Sequence, residues 1–474
     1  MLFSSSVFLF LFLPATLLVY ALCPGRARNA VLCLASLFFY AWGEVDYLGV
    51  LLASIALNYA FGLWIGAARA TAGRWAIGLG VAANCLLLGI FKYAGFFGAN
   101  ANVAFEGLGL GSVDLAPIHL PLGISFFTFQ AMSYLIDVHR GATESRRNPL
   151  DVALYISMFP QLIAGPIVRY ASIADQIESR RHTLANVDAG LRRFVVGLAR
   201  KMLLANPLGE TADLILATPG GELTAAAAWL GTTCYALQIY FDFSGYSDMA
   251  IGLGRVLGFR FPENFDHPYI ATSIREFWRR WHMTLSSWFR DYLYIPLGGN
   301  RFGPIRTALN LFTVFFLCGL WHGASWNFVG WGLFHGALLA AERIGLGALL
   351  ERAWRPVRHL YVIAMVWTGW VFFRIEDFGP AWSHLKAMLG LGAGNVDMTR
   401  FLDPRTLLCL FVGALFSTPA PARIGAAIRE QLDTTRPGYI VGGSLRMISV
   451  LALAGLCAAA VASSSHNPFI YFRF

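Results

Sequence analysis

From its first residues the sequence alternates long apolar runs with short charged breaks. Residues 7–22 end at Pro24, Gly25, Arg26 and Arg28, 29–42 at Glu44 and Asp46, and 47–67 at Arg69 and Arg74. Residues 75–91 lead through Lys92 into a Gly-rich stretch, 95–116, that carries Glu106 and Asp114, and 122–138 end at Arg140, Arg146 and Arg147. In hydrocarbon the polar backbone of such runs is satisfied within the segment only by a helix. Composition points the same way. Hydrophobic residues make up 57% of the 474 and charged residues 13%, about half the usual charged share of a soluble domain. That leaves too little polar surface for a cytosolic enzyme and excludes a disordered or fibrous chain. The expectation is an all-α polytopic membrane protein forming a single domain, 1–474.

Lys and Arg number 36 against 27 Asp and Glu, a formal charge of +9. In a membrane chain such an excess collects in cytoplasmic loops against anionic lipid. No basic run is interleaved for base stacking, so nucleic acid is not an expected partner. The seven cysteines lie in or beside apolar runs without a CxxC pair, which argues against a disulfide framework and a metal site. No positive residue precedes the run 7–22, so it reads as a retained helix rather than a cleaved signal. The basic breaks fall on every second loop. That places the N-terminus outside, with Arg26/Arg28, Arg69/Arg74 and Arg140–Arg147 inside.

Residues 155–169 are apolar but contain Pro160, Gly165 and Pro166, and basic residues flank them on both sides. A straight span would put one basic cluster on the wrong side, so this stretch reads as a broken or re-entrant segment lining a cavity. Further apolar runs lie near 194–215, 225–243, 305–321, 326–341, 361–373, 407–415 and 445–462, for about ten to twelve membrane segments in all.

Three clusters put costly polar groups into apolar surroundings. In Tyr240-Phe241-Asp242-Phe243-Ser244-Gly245-Tyr246-Ser247-Asp248, Asp242 or Ser244 either N-caps a following helix or shapes a site. Residues 274–290 place Ile274, Phe277, Trp278, Trp281, Leu285, Trp288 and Phe289 on one helical stripe, with Arg275, Arg279, Ser286 and Arg290 on the adjoining face and His282 at the seam. On residues alone this reads as an interfacial helix on the cytoplasmic leaflet. The third cluster runs from Gly319 to Gly336 and includes Trp321, His322, Gly323, Trp326, Asn327 and His335. At about 1.5 Å per residue, His322 lies roughly 24 Å from the basic end of its run, and Gly319 and Gly323 leave room for another backbone or a ligand. Cys318 lies one turn earlier on the same face and is either a packing residue or a transient acyl carrier.

Together these stretches resemble the membrane-bound O-acyltransferase (MBOAT) superfamily, in its bacterial branch of alginate O-acetylases and teichoic-acid D-alanylation proteins. The resemblance rests on Pro121-Leu122-Gly123-Ile124-Ser125-Phe126-Phe127-Thr128-Phe129-Gln130, Gln161-Leu162-Ile163-Ala164-Gly165-Pro166-Ile167, the runs 240–249 and 275–301, Trp321-His322-Gly323-Ala324-Ser325-Trp326, and Asn467-Pro468-Phe469-Ile470-Tyr471-Phe472-Arg473-Phe474. The opening residues 3–14 add to it. It implies the MBOAT fold, a ring of helices and re-entrant segments around a central funnel or tunnel, with His322 as catalytic residue and His282 as a second functional histidine.

It also implies acetyl transfer from a cytoplasmic thioester, acetyl-CoA, across the bacterial inner membrane to an exopolysaccharide such as alginate, with a periplasmic acetyltransferase as partner and no bound cofactor. The alternatives are a D-alanyl or other acyl transferase and, in a different class, a transporter or flippase. On the acyltransferase reading His322 is the general base, and His282 orients a reacting group or donates to the oxyanion. Arg275, Arg279, Arg280 and Arg290 hold donor phosphates or lipid phosphates, and Asp242, Trp321, Trp326 and Asn327 complete the substrate-binding set.

Overall fold

The computed structural model describes residues 1–68, 70–112 and 118–463. Arg69, Asp114 and the C-terminal motif 467–474 lie outside the described residues. Among those described, the chain is helical throughout, with an isolated bridge between Leu223 and Val396 in place of any sheet. The backbone gathers into two compact units, Met1–Gly190 with Leu253–Pro262, and Leu191–Gly252 with Glu263–Phe474.

Five helices among the described residues are long and apolar enough to cross a membrane: Val45–Ala67, Thr71–Gly107, Gly303–His322, Trp326–Arg352 and Pro437–Ser463. A sixth crossing results if Pro404–Phe416 and Ala420–Leu432, bent by 68°, form one span. The chain is therefore a multi-pass membrane protein. Several other expected segments are shorter helices. Arg28–Ala41 has 14 residues and Ile124–His139 has 16, about 21–24 Å of helix against a hydrocarbon core of about 30 Å.

In the first unit the helices are α1 (Phe8–Leu22), α2 (Arg28–Ala41), α3 (Leu48–Ala67), α4 (Thr71–Gly107), α5 (Ile124–His139), α6 (Pro149–Ser157), α7 (Phe159–Leu162) and α8 (Tyr170–Glu178). Two sequence expectations change here. The helix α4 runs straight through Lys92, whose buried ammonium donates to Ser125 Oγ at 3.0 Å. Residues 95–107, expected as part of a Gly-rich loop over 95–116, are helical, because the small residues interrupting that stretch tolerate a helix once the chain is in one. Asn58 and Asn84 bond reciprocally between α3 and α4, at 3.1 and 2.8 Å, a polar clasp inside an apolar pair.

The stretch 155–169 is broken as the prolines foretell. Its backbone turns at Met158 and is irregular from Ile163 to Arg169. It is buried, and its polar groups find protein partners: Tyr155 Oη donates to the Val168 carbonyl at 2.9 Å, Gln161 Nε2 to the Tyr155 carbonyl at 2.6 Å, and Ser36 Oγ accepts from Phe159 N at 3.1 Å. Arg146 before the break forms an ion pair with Glu178 after it. The two flanks of the segment thus meet, the geometry of a re-entrant excursion.

In the second unit, which also takes in most of two helices that begin or end outside it, follow α9 (Leu184–Ala199), α10 (Asn206–Leu216), α11 (Ala225–Val256), α12 (Ile274–Arg280), α13 (Met283–Phe289), α14 (Gly303–His322), α15 (Trp326–Ala341), α16 (Arg355–Arg374) and α17 (Phe378–Met388). The helices α14 and α15 form a tightly packed hairpin. A Cβ added at Gly319 would stand 2.2 Å from the Phe328 carbonyl oxygen, and one at Gly332 would stand 2.2 Å from that of Phe315. The room that Gly319 leaves is filled by the α15 backbone, and that at Gly323 by the Phe328 ring.

Candidate active site

The motif 240–248 lies in the middle of α11, so neither Asp242 nor Ser244 caps a helix. What holds a carboxylate there is a cation. Asp242 Oδ1 lies 2.6 Å from Lys201 Nζ in an ion pair, and both side chains are buried. One turn and a half later, Asp248 accepts from Arg193 at 2.7 Å and from Arg200. The bases come from α9 and the π-helical turn Arg200–Ala205 that follows it. Between the two carboxylates, Ser247 Oγ accepts from Asn264 Nδ2 at 3.0 Å.

Residues 274–290 form two short helices rather than one. The helix α12 ends at Arg280, Trp281 is extended, and His282 adopts φ 42°, ψ 54° before α13 begins. A left-handed conformation is costly for a β-substituted residue and is held only where its surroundings insist. The aromatic stripe is not a lipid anchor: all seven of its residues are buried in protein. Trp281 stacks on Phe277, with centroids 5.7 Å apart, and meets Trp370 at 4.9 Å.

His282 is 1% exposed. Phe243 lies edge-on at 4.6 Å between centroids, and Trp321 lies at 6.2 Å. His282 Nδ1 is 3.0 Å from Asn264 Oδ1, which also accepts the Thr284 backbone N–H at 3.3 Å and the Thr284 hydroxyl at 2.8 Å. His282 Nε2 is buried and has no hydrogen-bond partner among the described residues. His282 lies outside the apolar spans, and burial holds its pKa well below the usual histidine value, with no charged neighbour contributing. Burial thus favours the neutral ring.

His322 is the last residue of α14 and is buried. Trp321 at 4.9 Å, Trp331 at 5.0 Å and Phe373 at 5.1 Å surround its ring. Trp321 thus touches both histidines, which come from different segments. His335 also lies against Trp331, at 5.2 Å. Gly369 faces its Nε2, which a Cβ there would approach to 2.7 Å.

A cavity of about 460 Å³ opens beside this cluster. Arg275, Arg279 and Arg290 line it, all exposed, as do Ser286 and Cys318. The polar face expected from helical periodicity thus survives the break at His282, because the left-handed turn brings both short helices to the same cavity. Met283, which follows His282, also lines it. Neither histidine is among its lining residues.

Five expected binding residues do not line this cavity, and one of them, Trp321, lies instead against the two histidines. Arg280 is half-buried and ion-paired with Asp266 at 2.8 Å and Glu276 at 3.1 Å. Asp242 is committed to Lys201. Trp326 is 56% exposed. Asn327 is buried and donates to the Ile375 carbonyl at the end of α16, a tie between helices. Asn264 and Lys201 were not legible as site residues. Asn264 sits in Pro262-Glu263-Asn264-Phe265, which reads locally as a turn. No His/Cys/Asp/Glu cluster able to hold a metal occurs among the described residues.

These features meet in a known class. Residues 107–374 match the family described as "MBOAT, membrane-bound O-acyltransferase family". The chain is similar to a "Probable alginate O-acetylase AlgI" of Azotobacter vinelandii, 42% identical over the full length of both chains. It is similar as well to a "Peptidoglycan O-acetyltransferase" of Helicobacter pylori, 38% identical over 100% of this chain and 98% of that one. A "Teichoic acid D-alanyltransferase" of Bacillus subtilis is 30% identical over 46% of this chain and 58% of that one. The chain belongs to the membrane-bound O-acyltransferase family, and it is an acyltransferase.

Proposed function

We propose that this protein is an O-acetyltransferase of the bacterial inner membrane that takes acetyl from a cytoplasmic thioester, acetyl-CoA, and delivers it to an exopolysaccharide such as alginate. Delivery is direct or through a periplasmic acetyltransferase. The observation that carries the reading is the pair of buried histidines around Trp321, beside a cavity edged by three exposed arginines. Acetyl-CoA carries several phosphates and does not cross a bilayer, so the donor must be held on its own side. Arg275, Arg279 and Arg290 supply that charge. A carbohydrate hydroxyl attacks a thioester only as its proton is removed.

His322 takes that proton as the new C–O bond forms. The C–S bond breaks, and the departing thiolate recovers a proton to leave as the free thiol. His282 orients the reacting groups. Full-length likeness to two O-acetylating relatives, against a partial match to a D-alanylating one, supports acetyl over D-alanyl. Replacing His322 by Ala tests the assignment. The secreted polymer, measured by mass spectrometry, is expected to lose its acetyl groups while the variant accumulates normally in the membrane. Retained acetylation removes His322 from the role of base.

A further inference from the structure

We infer that Asn264 is a positioning residue that holds His282 in its Nδ1–H tautomer, so that Nε2 meets the substrate as a hydrogen-bond acceptor and not as a donor. The inference rests on the acyl-transfer reading and narrows the part His282 plays in it.

The argument is one of donors and acceptors. The atom of Asn264 nearest His282 also receives the backbone N–H of Thr284. A backbone N–H only donates, so that atom is the carbonyl oxygen Oδ1. The Thr284 hydroxyl adds a second donor to it at 2.8 Å. The other end of the amide is fixed independently, because Nδ2 donates to Ser247 Oγ at 3.0 Å. An oxygen that only accepts faces His282 Nδ1, so Nδ1 carries the proton. In the neutral ring Nε2 then carries a lone pair. That nitrogen is buried without a partner among the described residues, a cost that a group awaiting a ligand's hydroxyl explains.

Two backbone features reinforce the lock. Met283 N donates to the Asn264 carbonyl at 2.9 Å, and the left-handed φ of His282 turns its ring away from the course α12 would have continued. An Nε2 acceptor can receive a hydrogen bond from another hydroxyl of the acceptor and so orient it, while His322 takes the proton of the attacking one. As a neutral ring His282 cannot donate to the oxyanion, one of the two roles open to it from sequence.

The test uses the full-length protein in lipid bilayers with 15N-labelled histidine. In the wild type, the signal assigned to His282 by its loss in His282→Gln is expected to show a protonated Nδ1 and an unprotonated Nε2. In Asn264→Leu that preference is lost and kcat falls on the order of 10- to 100-fold, by analogy with metal-bound histidines that lose their orienting partner, with KM for acetyl-CoA little changed. Asn264→Asp keeps an accepting oxygen, and Ser247 can turn its hydroxyl to donate, so both the tautomer and most of kcat return. A wild-type spectrum with the proton on Nε2 overturns the inference, and so does equal loss in the Leu and Asp variants with the tautomer unchanged. The spectrum is read without turnover, so failure of the acetyl-transfer reading leaves a separate signature: a locked tautomer in a protein that transfers no acetyl.

Discussion

Lys201 and Asp242 form an ion pair with 3% and 2% of their side chains exposed. Such a pair is worth little against two apolar residues of the same size, yet breaking one half leaves a bare charge in a dry interior. Lys201→Ala is expected to cost about 3–5 kcal/mol, while the double replacement Lys201→Met with Asp242→Leu recovers most of it. Thermal unfolding of the detergent-solubilised protein, followed by tryptophan fluorescence, measures both. Equal destabilisation by the single and double changes would give the pair a role beyond charge balance. Residues of this kind explain the limits of reading the site from sequence. The place of His322, buried at the end of a long apolar helix, was legible from the run before it; its role as base is the proposal made above. Asn264 was not legible, since its meaning lies in contacts with Ser247 and His282, 17 and 18 positions away. Arg280 looked equivalent to Arg275 and Arg279 until Asp266 and Glu276 claimed it.

At the level of elements, the hairpin of α14 and α15 sets where His322 and Trp331 stand. Its closeness depends on glycine at both contact points. A methyl at Gly332 would sit 2.2 Å from the Phe315 carbonyl and 3.2 Å from Gly319 Cα, and backbone atoms cannot swing aside as side chains can. Gly332→Ala is expected to force the helices apart, costing about 1–3 kcal/mol, and to lower acetyl transfer by displacing the neighbouring Trp331. Gly78→Ala, in α4 with nothing within 4 Å, is the control and should leave activity unchanged. Transfer assays on both variants at matched expression decide it. The break in 155–169 was legible because proline and glycine state it locally. The break at His282 was not: nothing in Trp281-His282-Met283 forbids a helix, and the left-handed turn is imposed by Asn264 and the aromatic packing. The pattern defines the aromatic stripe as one face but does not say whether lipid or protein covers it, because a protein interior and a bilayer are equally apolar; in the fold it is protein.

Across the whole molecule, the expected sidedness rests on charge. Arg28 and Arg180 come from segments expected on the cytoplasmic side and converge on His182 and Tyr20, with Arg28 donating to His182 Nδ1 at 3.0 Å and Arg180 to Tyr20 Oη at 2.9 Å. Arg146 meets Glu178 nearby in sequence. All these groups therefore belong to one side. The expected outcome is that a cysteine at Asp46 reacts with an impermeant maleimide added to intact spheroplasts, whereas one at Glu144, also exposed, reacts only after the membrane is opened. The opposite pattern would invert the orientation. The helical, multi-pass character was legible from the apolar runs alone. The number of full-length crossings was not, since runs such as 29–42 and 122–138 became helices too short to reach across on their own.

The buried Lys201–Asp242 pair also constrains how the chain is made. The ribosome delivers Lys201 before Asp242, and an ammonium that leaves water without its carboxylate does so at high cost. The segment around Lys201 is therefore expected to bury together with α11, once that helix has emerged. The order of synthesis thus makes the two a single folding step, and this part of the second unit closes only when its later half arrives.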